Sequence, residues 1–295
     1  MSEKIEKEKK EIVVIYHGGC PDGFGGAYAA WKKFGDEAEY IPGKYGRAVP
    51  EGLAGRKIFF IDFCYEKDQM DEIVKTAESV TVLDHHLGAK EVVESMPEHI
   101  FDEKRSGATI AWSYFHPDTP VPTLLKYVED GDRYVFLLPD SRAILAYAYT
   151  IHFKFEDWDK LVQELEDADT RNKLIEKGKF YAEYKLILSE QIANKATLVM
   201  FEGFECYLVT AQDMFKSDVG NILSRKKPPI GIAINFNGNE LHVSLRSDKS
   251  VEQVDLSAIA RKYGGNGHPR ASAFILKWGD PLPWTVVEEN ENSRN

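Results

Sequence analysis

The sequence predicts an α/β fold. An amino-terminal parallel-sheet domain with helices on both faces is joined by a helical connector to a smaller carboxy-terminal α/β domain. Three observations predict this arrangement. The first ninety residues alternate short β-branched runs with stretches of helical period. The segment 105–196 carries helical period and hardly any strand pattern, and strand patterns return after residue 197.

The elements of the first domain follow from the period of its apolar residues. Near-continuous apolar runs predict strands at 11–17, 38–42, 57–63 and 79–84. Amphipathic stretches predict helices at 24–34 and 66–78. Strands that are apolar almost throughout are typical of a parallel sheet that helices cover on both faces.

The rest of the chain divides into a helical region and a second sheet. Helical patterns lie near 107–115, 121–130, 141–150, 156–168 and 171–196. Strands are predicted at 197–201, 205–210, 230–236, 240–246 and 273–278, with helices near 217–225 and 253–263. The expected organisation is a solvated leader at 1–10, a first domain at 11–185, a helical linker at 186–202, a second domain at 203–282 and a polar tail at 283–295.

Composition excludes several classes of protein. The 295 residues are 43% hydrophobic, which excludes a disordered chain and is enough for two ordinary domains. With 37 basic and 48 acidic residues the net charge is −11, so broad attraction to duplex DNA or an anionic membrane is excluded. Three cysteines without a CxxC pair argue against a disulfide framework and a zinc knuckle. With no apolar signal segment or membrane span, we expect a cytoplasmic protein.

Titratable side chains lie at the ends of three of the predicted strands or just after them. They are His17, Asp22, Asp62, Asp84 and His85. Because the carboxyl ends of parallel strands meet at one edge of a sheet, we expect these groups to converge. Imidazole and carboxylate are ligands of divalent ions, Mn²⁺ above all, with Mg²⁺, Fe²⁺ or Co²⁺ as alternatives. Carboxylates this close would repel one another without a cation between them.

Three further segments permit a functional reading beside a structural one. The loop 18-GGCPDGFGG-26 allows close backbone approach to a phosphate, but it lacks the spacing of a dinucleotide or P-loop motif. In 127-YVEDGDRY-134, Asp130 or Asp132 could complete a metal site or belong to a helix-ending turn. The segment 263-YGGNGHPRASAF-274 could bind a phosphate or simply end a helix.

These segments, taken in order, resemble a known family. The series 17-HGGCPD-22, 61-IDF-63, 84-DHH-86, 127-YVEDGD-132, 244-SLRS-247 and 264-GGNGHPRASAF-274 is similar to the DHH phosphoesterase superfamily with its DHH-associated carboxy-terminal domain. The sequence looks most similar to the small oligoribonucleases, or nanoRNases. The resemblance spans residues 11–280 and implies hydrolysis of phosphoester bonds with two divalent ions, usually manganese.

The resemblance also implies a set of metal ligands. They are His17, Asp22, Asp62, Asp84, His85 and an Asp of the fourth motif, with Asp62 bridging the two ions. For the fourth-motif ligand we prefer Asp130, because it lies at the predicted helix end, and keep Asp132 in reserve. Cys20 stands where the family has an aspartate. It is either a thiolate ligand, which would favour Zn²⁺ or Fe²⁺, or a spectator, and we favour a retained role.

The remaining candidate residues concern catalysis and substrate. With Asp62, Asp84 and His85, we expect His86 to act at the site by hydrogen-bonding a ligand or the phosphate, the alternative being a core histidine. Arg105 and Ser106 could contact a phosphate at a helix N-terminus, although a surface arginine is an equal reading. The candidate substrate-binding residues of the second domain are Arg246, Gly264, Gly265, Gly267, His268 and Arg270.

The expected function is hydrolysis of short oligonucleotides or small nucleotide phosphoesters by in-line attack of water with two metal ions. The net charge of −11 disfavours a long polyanion as substrate. The alternatives are a cyclic dinucleotide phosphodiesterase or exopolyphosphatase on the same scaffold, and a catalytically impaired nucleotide- or metal-binding protein. We infer no membrane and no obligate protein partner, and the sequence leaves a homodimer open.

Overall fold

A computed structural model describes residues 10–252 and 254–287. The contacts within the chain divide it between Ala182 and Glu183 into two compact units. The division falls inside a long helix, and the amino- and carboxy-terminal units are described in turn.

The described part of the amino-terminal unit alternates strands and helices and then becomes helical. Its elements are β1 (Ile12–His17), α1 (Pro21–Phe34), β2 (Ala38–Gly43), β3 (Lys57–Ile61), α2 (Lys67–Thr76), β4 (Ser79–Asp84), α3 (Lys90–Glu94), β5 (Glu98–Phe101), α4 (Gly107–Phe115), α5 (Thr123–Asp132), α6 (Ser141–Ala148), α7 (Phe155–Glu166) and α8 (Ala168–Ala193). Short 3₁₀ turns lie at Gly35–Glu37 and Leu87–Ala89.

The strands of this unit form one parallel sheet in the order β2-β1-β3-β4-β5. Tyr16 of β1 pairs with Ile61 of β3, and Ile61 pairs with Leu83 of β4. The ends of the three central strands are therefore aligned, and the residues that follow them emerge at one edge of the sheet.

Alternation along the strands sends side chains into two cores, one on each face. Val14 packs into a core with helices α1, α4, α5 and α7, whereas Val13 and Ile15 pack into a core with α2 and α3. Trp158 of α7 is completely buried in the first core, with its ring centroid 4.9 Å from that of Phe24. Each face of the sheet thus carries a helical layer.

The carboxy-terminal unit is a mixed sheet with helices. After the end of α8, its described elements are β6 (Thr197–Phe201), β7 (Phe204–Thr210), α9 (Lys216–Lys226), β8 (Gly231–Asn237), β9 (Glu240–Arg246), α10 (Leu256–Lys262), β10 (Asn266–His268), β11 (Ala271–Lys277) and β12 (Trp284–Val286). The strand order is β10-β11-β9-β8-β7-β6-β12. Strands β7 and β8 pair in parallel, and the other described neighbours are antiparallel.

The predicted α/β class is confirmed, while several short elements were not predicted. Strand β5 has only four residues, EHIF, which are mostly exposed, so it lacks the longer apolar run that marks the other strands of its sheet. Strand β12 lies in the predicted polar tail. Strand β6 coincides with the strand predicted at 197–201, so the end of the predicted helical linker 186–202 is a strand. Residues 1–9 of the predicted leader 1–10 and residues 288–295 of the predicted tail lie outside the described residues.

Two further expectations concern the whole described chain. In residues 10–252 and 254–287, no helix combines the length and the apolar character needed to cross a bilayer. Cys20, Cys64 and Cys206 are free thiols, as the absence of a CxxC pair indicates.

Replacing Trp158 with alanine should lower the stability of the amino-terminal unit by about 3–5 kcal/mol, because it empties the centre of the core. The measurement is urea denaturation of the metal-free protein followed by circular dichroism. Leu137, whose surface is 83% exposed, provides the control, and Leu137→Ala should change stability by less than about 0.5 kcal/mol. Equal losses in the two variants would contradict this account of the core.

Candidate metal centre

The glycine-rich loop after β1 makes a tight turn into α1. Gly19 has a φ of 89°, and a Cβ on Gly23 would lie 2.1 Å from the carbonyl oxygen of His17. Cys20 is the N-cap of α1, and its Sγ accepts a hydrogen bond from Gly23 N at 3.3 Å. The turn therefore carries His17, Cys20 and Asp22 to the edge of the sheet within a short stretch of chain.

Asp62 follows β3 and adopts a left-handed backbone conformation with a φ of 57°. Its N–H donates to the carbonyl oxygen of Leu83 at 2.9 Å, so the strained residue stays tied to β4. A left-handed non-glycine residue costs free energy, and such residues cluster where a side chain must be aimed. Asp62 is buried, with 1% of its surface exposed.

The two oxygens of Asp62 face different partners. Oδ2 lies 3.3 Å from His17 Nδ1 and 3.6 Å from Cys20 Sγ. Oδ1 lies 3.1 Å from His85 Nε2 and 3.5 Å from His86 Nδ1. A carboxylate that presents one oxygen to each of two groups has the geometry of a bridging ligand.

Asp22 connects the site to the start of α4. Its Oδ2 accepts from Gly107 N at 2.7 Å, and its Oδ1 accepts from Ala108 N at 2.9 Å. The same Oδ2 lies 3.6 Å from His85 Nε2. Position 107 requires glycine here, because a Cβ would lie 2.5 Å from Cβ of Asp62. Helix α4 can therefore begin directly against the two carboxylates.

The 84-DHH-86 turn is organised by one oxygen of Asp84. Asp84 Oδ1 accepts from the backbone N–H groups of His85 at 2.6 Å and His86 at 3.1 Å, and it lies 2.8 Å from His86 Nδ1. The other oxygen, Oδ2, is buried and has no hydrogen-bond partner among the described residues. An unpaired buried carboxylate oxygen is costly, and a bound cation would satisfy it.

The structure brings Asp132, and not Asp130, to the cluster. Asp132 Oδ2 lies 3.5 Å from His85 Nε2. Both oxygens of Asp130 accept backbone hydrogen bonds instead, from Leu137 N at 2.7 Å and Leu138 N at 3.2 Å. The preference for Asp130 is thus not supported by its position, because its carboxylate closes the loop that follows α5.

Charge and burial act together on the titratable groups. Burial acts to raise the pKa of Asp62, but hydrogen bonds with His17 and His85 outweigh it and hold that pKa well below its usual range. Burial acts to lower the pKa of His85, and Asp62, Asp132 and Asp22 outweigh it and raise the pKa to about 11. Burial and the neighbouring Asp62 and Asp132 raise the pKa of Asp22 well above its usual range. These shifts indicate a surplus of buried negative charge, which is suited to a cation.

Three overlapping groups in the described amino-terminal unit could hold divalent ions. Within each, one ligand atom per residue lies within 4.8 Å of the others, and the groups are His17, Cys20 and Asp62; Asp22, His85 and Asp132; and Asp62, Asp84, His85 and His86. The donors are imidazole nitrogen, carboxylate oxygen and one thiol sulfur, which suit transition-metal ions. The unpartnered Asp84 Oδ2 of the described structure supports the same fit.

Arg105 and Ser106 both serve the structure of α4. Ser106 is its N-cap, and its Oγ accepts from Thr109 N at 3.4 Å. Arg105 donates to the carbonyl oxygen of Thr109 and to Ser113 Oγ. Glu129, which the sequence analysis did not single out, accepts from Ser106 N at 3.0 Å and from Thr109 Oγ1. Its place beside Asp130 in the fourth motif was the available signal.

The substrate-binding candidates of the carboxy-terminal unit gather at one end of its sheet. Ala271, next to Arg270, pairs with both Arg246 and His268, so the three side chains belong to neighbouring strand ends. Both guanidinium groups already donate to the protein: Arg270 to the carbonyl oxygen of Asp248 at 2.6 Å, and Arg246 to Ser217 Oγ at 3.1 Å.

The glycines of this segment serve its packing and its turn. A Cβ on Gly265 would lie 2.1 Å from the carbonyl oxygen of Ala273, and one on Gly267 would lie 2.5 Å from that of Ala271. Close approach of β10 to β11 therefore requires glycine at both positions. Gly264, with a φ of 72°, ends α10 in the left-handed region.

Comparison with known structures identifies the fold. The DHH domain of a protein described as a member of a family of ribosomal proteins superposes with a TM-score of 0.60 and 13% sequence identity, over 91% of this chain and 83% of that one. The chain has a DHH-type fold. RecJ from Thermus thermophilus, in complex with Mn²⁺, gives a TM-score of 0.48 at 13% identity, over 90% of this chain and 49% of RecJ.

Sequence comparison finds a viral relative. An uncharacterized protein of Acanthamoeba polyphaga mimivirus is 29% identical over 288 residues, which cover 90% of this chain and 67% of that protein. No family model matches the chain.

The different environments of Asp132 and Asp130 predict opposite phenotypes. Asp132→Asn should weaken Mn²⁺ binding by about tenfold or more while leaving the unfolding temperature in EDTA unchanged or higher, since it removes one of several crowded carboxylates. Asp130→Asn should lower stability in EDTA by about 1–3 kcal/mol, because its amide would place an NH₂ against a backbone N–H.

Calorimetric titration with Mn²⁺ and thermal unfolding of the two variants measure this difference. A greater loss of Mn²⁺ affinity in Asp130→Asn than in Asp132→Asn would reverse the assignment of the two residues.

Proposed function

We propose that this protein is a metal-dependent phosphodiesterase of DHH type that hydrolyses short oligonucleotides or small nucleotide phosphoesters. The observation that carries the proposal is the carboxylate of Asp62, which presents one oxygen to His17 and Cys20 and the other to His85. The DHH-type fold and the ordered motifs support the same chemistry.

The residues of the cluster divide into two sets around Asp62. His17 and Cys20 lie at one oxygen and would hold one ion with it. Asp22, His85 and Asp132 lie together beyond the other oxygen and would hold the second. Divalent ions there would supply an activated water and neutralise charge on a phosphoryl group. Asp84 fixes the turn that carries His85, and we assign His86 to hydrogen-bonding of a ligand or the phosphate.

A short substrate is the best match to the charge of the protein. With a net charge of −11, a long nucleic acid lying across the surface would be repelled, whereas a short nucleotide needs only local contacts. In the carboxy-terminal unit, neighbouring strand ends offer two guanidinium groups, from Arg246 and Arg270, and the imidazole of His268 for a phosphate. We assign these residues to substrate binding.

Hydrolysis of a panel of substrates tests the proposed function. The panel contains pApA, a short and a long oligoribonucleotide, cyclic di-AMP, pyrophosphate and 3′,5′-bisphosphorylated adenosine, each with Mn²⁺ or with EDTA. We expect mononucleotide release with Mn²⁺ that is fastest on the shortest RNA and absent with EDTA. Turnover of only cyclic or inorganic substrates would favour the other activities known on this scaffold, and binding without turnover would indicate an impaired enzyme.

Removal of the bridging carboxylate should abolish hydrolysis. Asp62→Asn keeps the size of the side chain but removes the charge that two ions would share, so we expect a loss of kcat of at least about a thousandfold with native circular dichroism. The exposed Glu37 provides a matched control, and Glu37→Gln should retain full activity. Full activity of Asp62→Asn would refute the assignment of the centre.

A further inference from the structure

We propose that Cys20 binds metal as a thiolate, and that the two halves of the centre consequently select different cations. The half that contains His17 and Cys20 would take a thiophilic ion such as Zn²⁺ or Fe²⁺, and the half that contains Asp22 and Asp132 would take a harder ion such as Mn²⁺. This inference rests on the proposed function, because it refines the metal centre of that function.

The position of the thiol supports direct ligation. Cys20 Sγ lies 3.4 Å from His17 Nδ1 and 3.6 Å from Asp62 Oδ2, so sulfur, nitrogen and oxygen donors converge on one point. The corresponding atoms of Asp22, His85 and Asp132 form a separate group of nitrogen and oxygen donors. The two groups therefore differ in the softness of their donors although they adjoin the same carboxylate.

Donor softness decides which ions the two groups prefer. Thiolate ligands select zinc and other thiophilic ions, imidazole suits Zn²⁺ and Fe²⁺, and carboxylates suit Mn²⁺ and Mg²⁺. A group of one thiolate, one imidazole and one carboxylate thus favours a borderline or soft cation. The second group, with two carboxylates and one imidazole, favours a harder one.

The start of α1 makes the sulfur a suitable ligand. Gly23 N donates to Cys20 Sγ at 3.3 Å, and α1 runs for 14 residues from this end. Burial and the neighbouring Asp62 and Asp22 raise the pKa of the Cys20 thiol, and the N–H of Gly23 acts in the opposite direction, so it is a bound cation that would hold the sulfur as a thiolate. Binding of a cation would displace the thiol proton to solvent and leave the sulfur charged.

A second observation points to a cation independently of the cysteine. Asp84 Oδ2 is buried without a hydrogen-bond partner in the described part of the chain, while Asp84 belongs to a group that also contains Asp62. Asp62 thus belongs both to the Cys20 group and to a group whose Asp84 has a buried oxygen without a partner in the described structure. Such an oxygen calls for positive charge in the cluster that contains Asp62.

Cobalt absorption spectroscopy on the full chain tests the proposal. Protein stripped with EDTA is titrated with Co²⁺, which reports a bound thiolate through a charge-transfer band in the near ultraviolet and reports any bound site through weaker visible bands. We expect both kinds of band in the native protein. Cys20→Ser should lose the charge-transfer band and keep visible bands, because serine is also a good N-cap and preserves the start of α1.

Two other cysteines provide matched controls. Cys64 and Cys206 are buried thiols outside the three metal-binding groups, so Cys64→Ala and Cys206→Ala should keep the charge-transfer band. Visible bands without a charge-transfer band in the native protein would refute metal binding by a Cys20 thiolate and leave the proposed function intact. A protein that binds no Co²⁺ at all would overturn both, and a band that persists in Cys20→Ser would assign the thiolate to another cysteine.

Competition between metals tests the difference between the halves. The metal-free native protein, given one equivalent each of Zn²⁺ and Mn²⁺, should retain both metals after gel filtration, as measured by elemental analysis. Cys20→Asp supplies a carboxylate and an N-cap at the same position, and it should lower Zn²⁺ affinity relative to Mn²⁺ by about tenfold or more. Unchanged relative affinity in Cys20→Asp would refute the selectivity, whatever the activity of the variant.

Discussion

The carboxylate of Asp62 is the group on which the candidate centre depends. It stands at the end of the central strand β3, so it has strands β1 and β4 on either side. Its left-handed backbone, with a φ of 57°, directs the side chain to the edge where the neighbouring strands deliver His17 and His85. The parallel register aligns the ends of β1, β3 and β4, and the backbone conformation of Asp62 turns its carboxylate toward the residues at those ends. If Asp62 continued β3 with an extended backbone, its side chain would point in another direction.

The fold places several carboxylates close together, and their mutual repulsion costs free energy. Helix α4 partly offsets this cost. Asp22 receives two backbone N–H groups from Gly107 and Ala108, so the start of this helix stabilises a buried negative charge. Asp84 receives two more from its own turn. No such donors reach Asp84 Oδ2, which has no partner in the described structure. The scaffold therefore neutralises part of the charge and leaves a remainder that is suited to metal ions.

The sequence predicts the candidate ligands at the strand ends better than it predicts the candidate ligand on helix α5. His17, Asp62 and Asp84 lie at the ends of strands whose apolar runs are easily recognised, and parallel pairing then places them together. Residues two apart on a helix point about 200° away from each other, so Asp130 and Asp132 cannot both face the cluster. The structure separates them, because Asp132 Oδ2 lies 3.5 Å from His85 Nε2, whereas the buried carboxylate of Asp130 accepts from Leu137 N and Leu138 N. The position at the helix end favours Asp130, whereas the rotation of α5 brings Asp132 to the cluster.

Asp130 shows how a residue beside a site can carry a structural role that a motif does not reveal. Its backbone carbonyl accepts from Val135 N and Phe136 N, and its carboxylate accepts from Leu137 N and Leu138 N. One residue thus satisfies four consecutive donors in a loop that contains left-handed residues. Because this loop fixes the end of α5, it also fixes the backbone from which Asp132 extends. The two acidic residues of this motif therefore have different roles. Asp130 stabilises the loop after α5, and Asp132 lies at the cluster of candidate metal ligands.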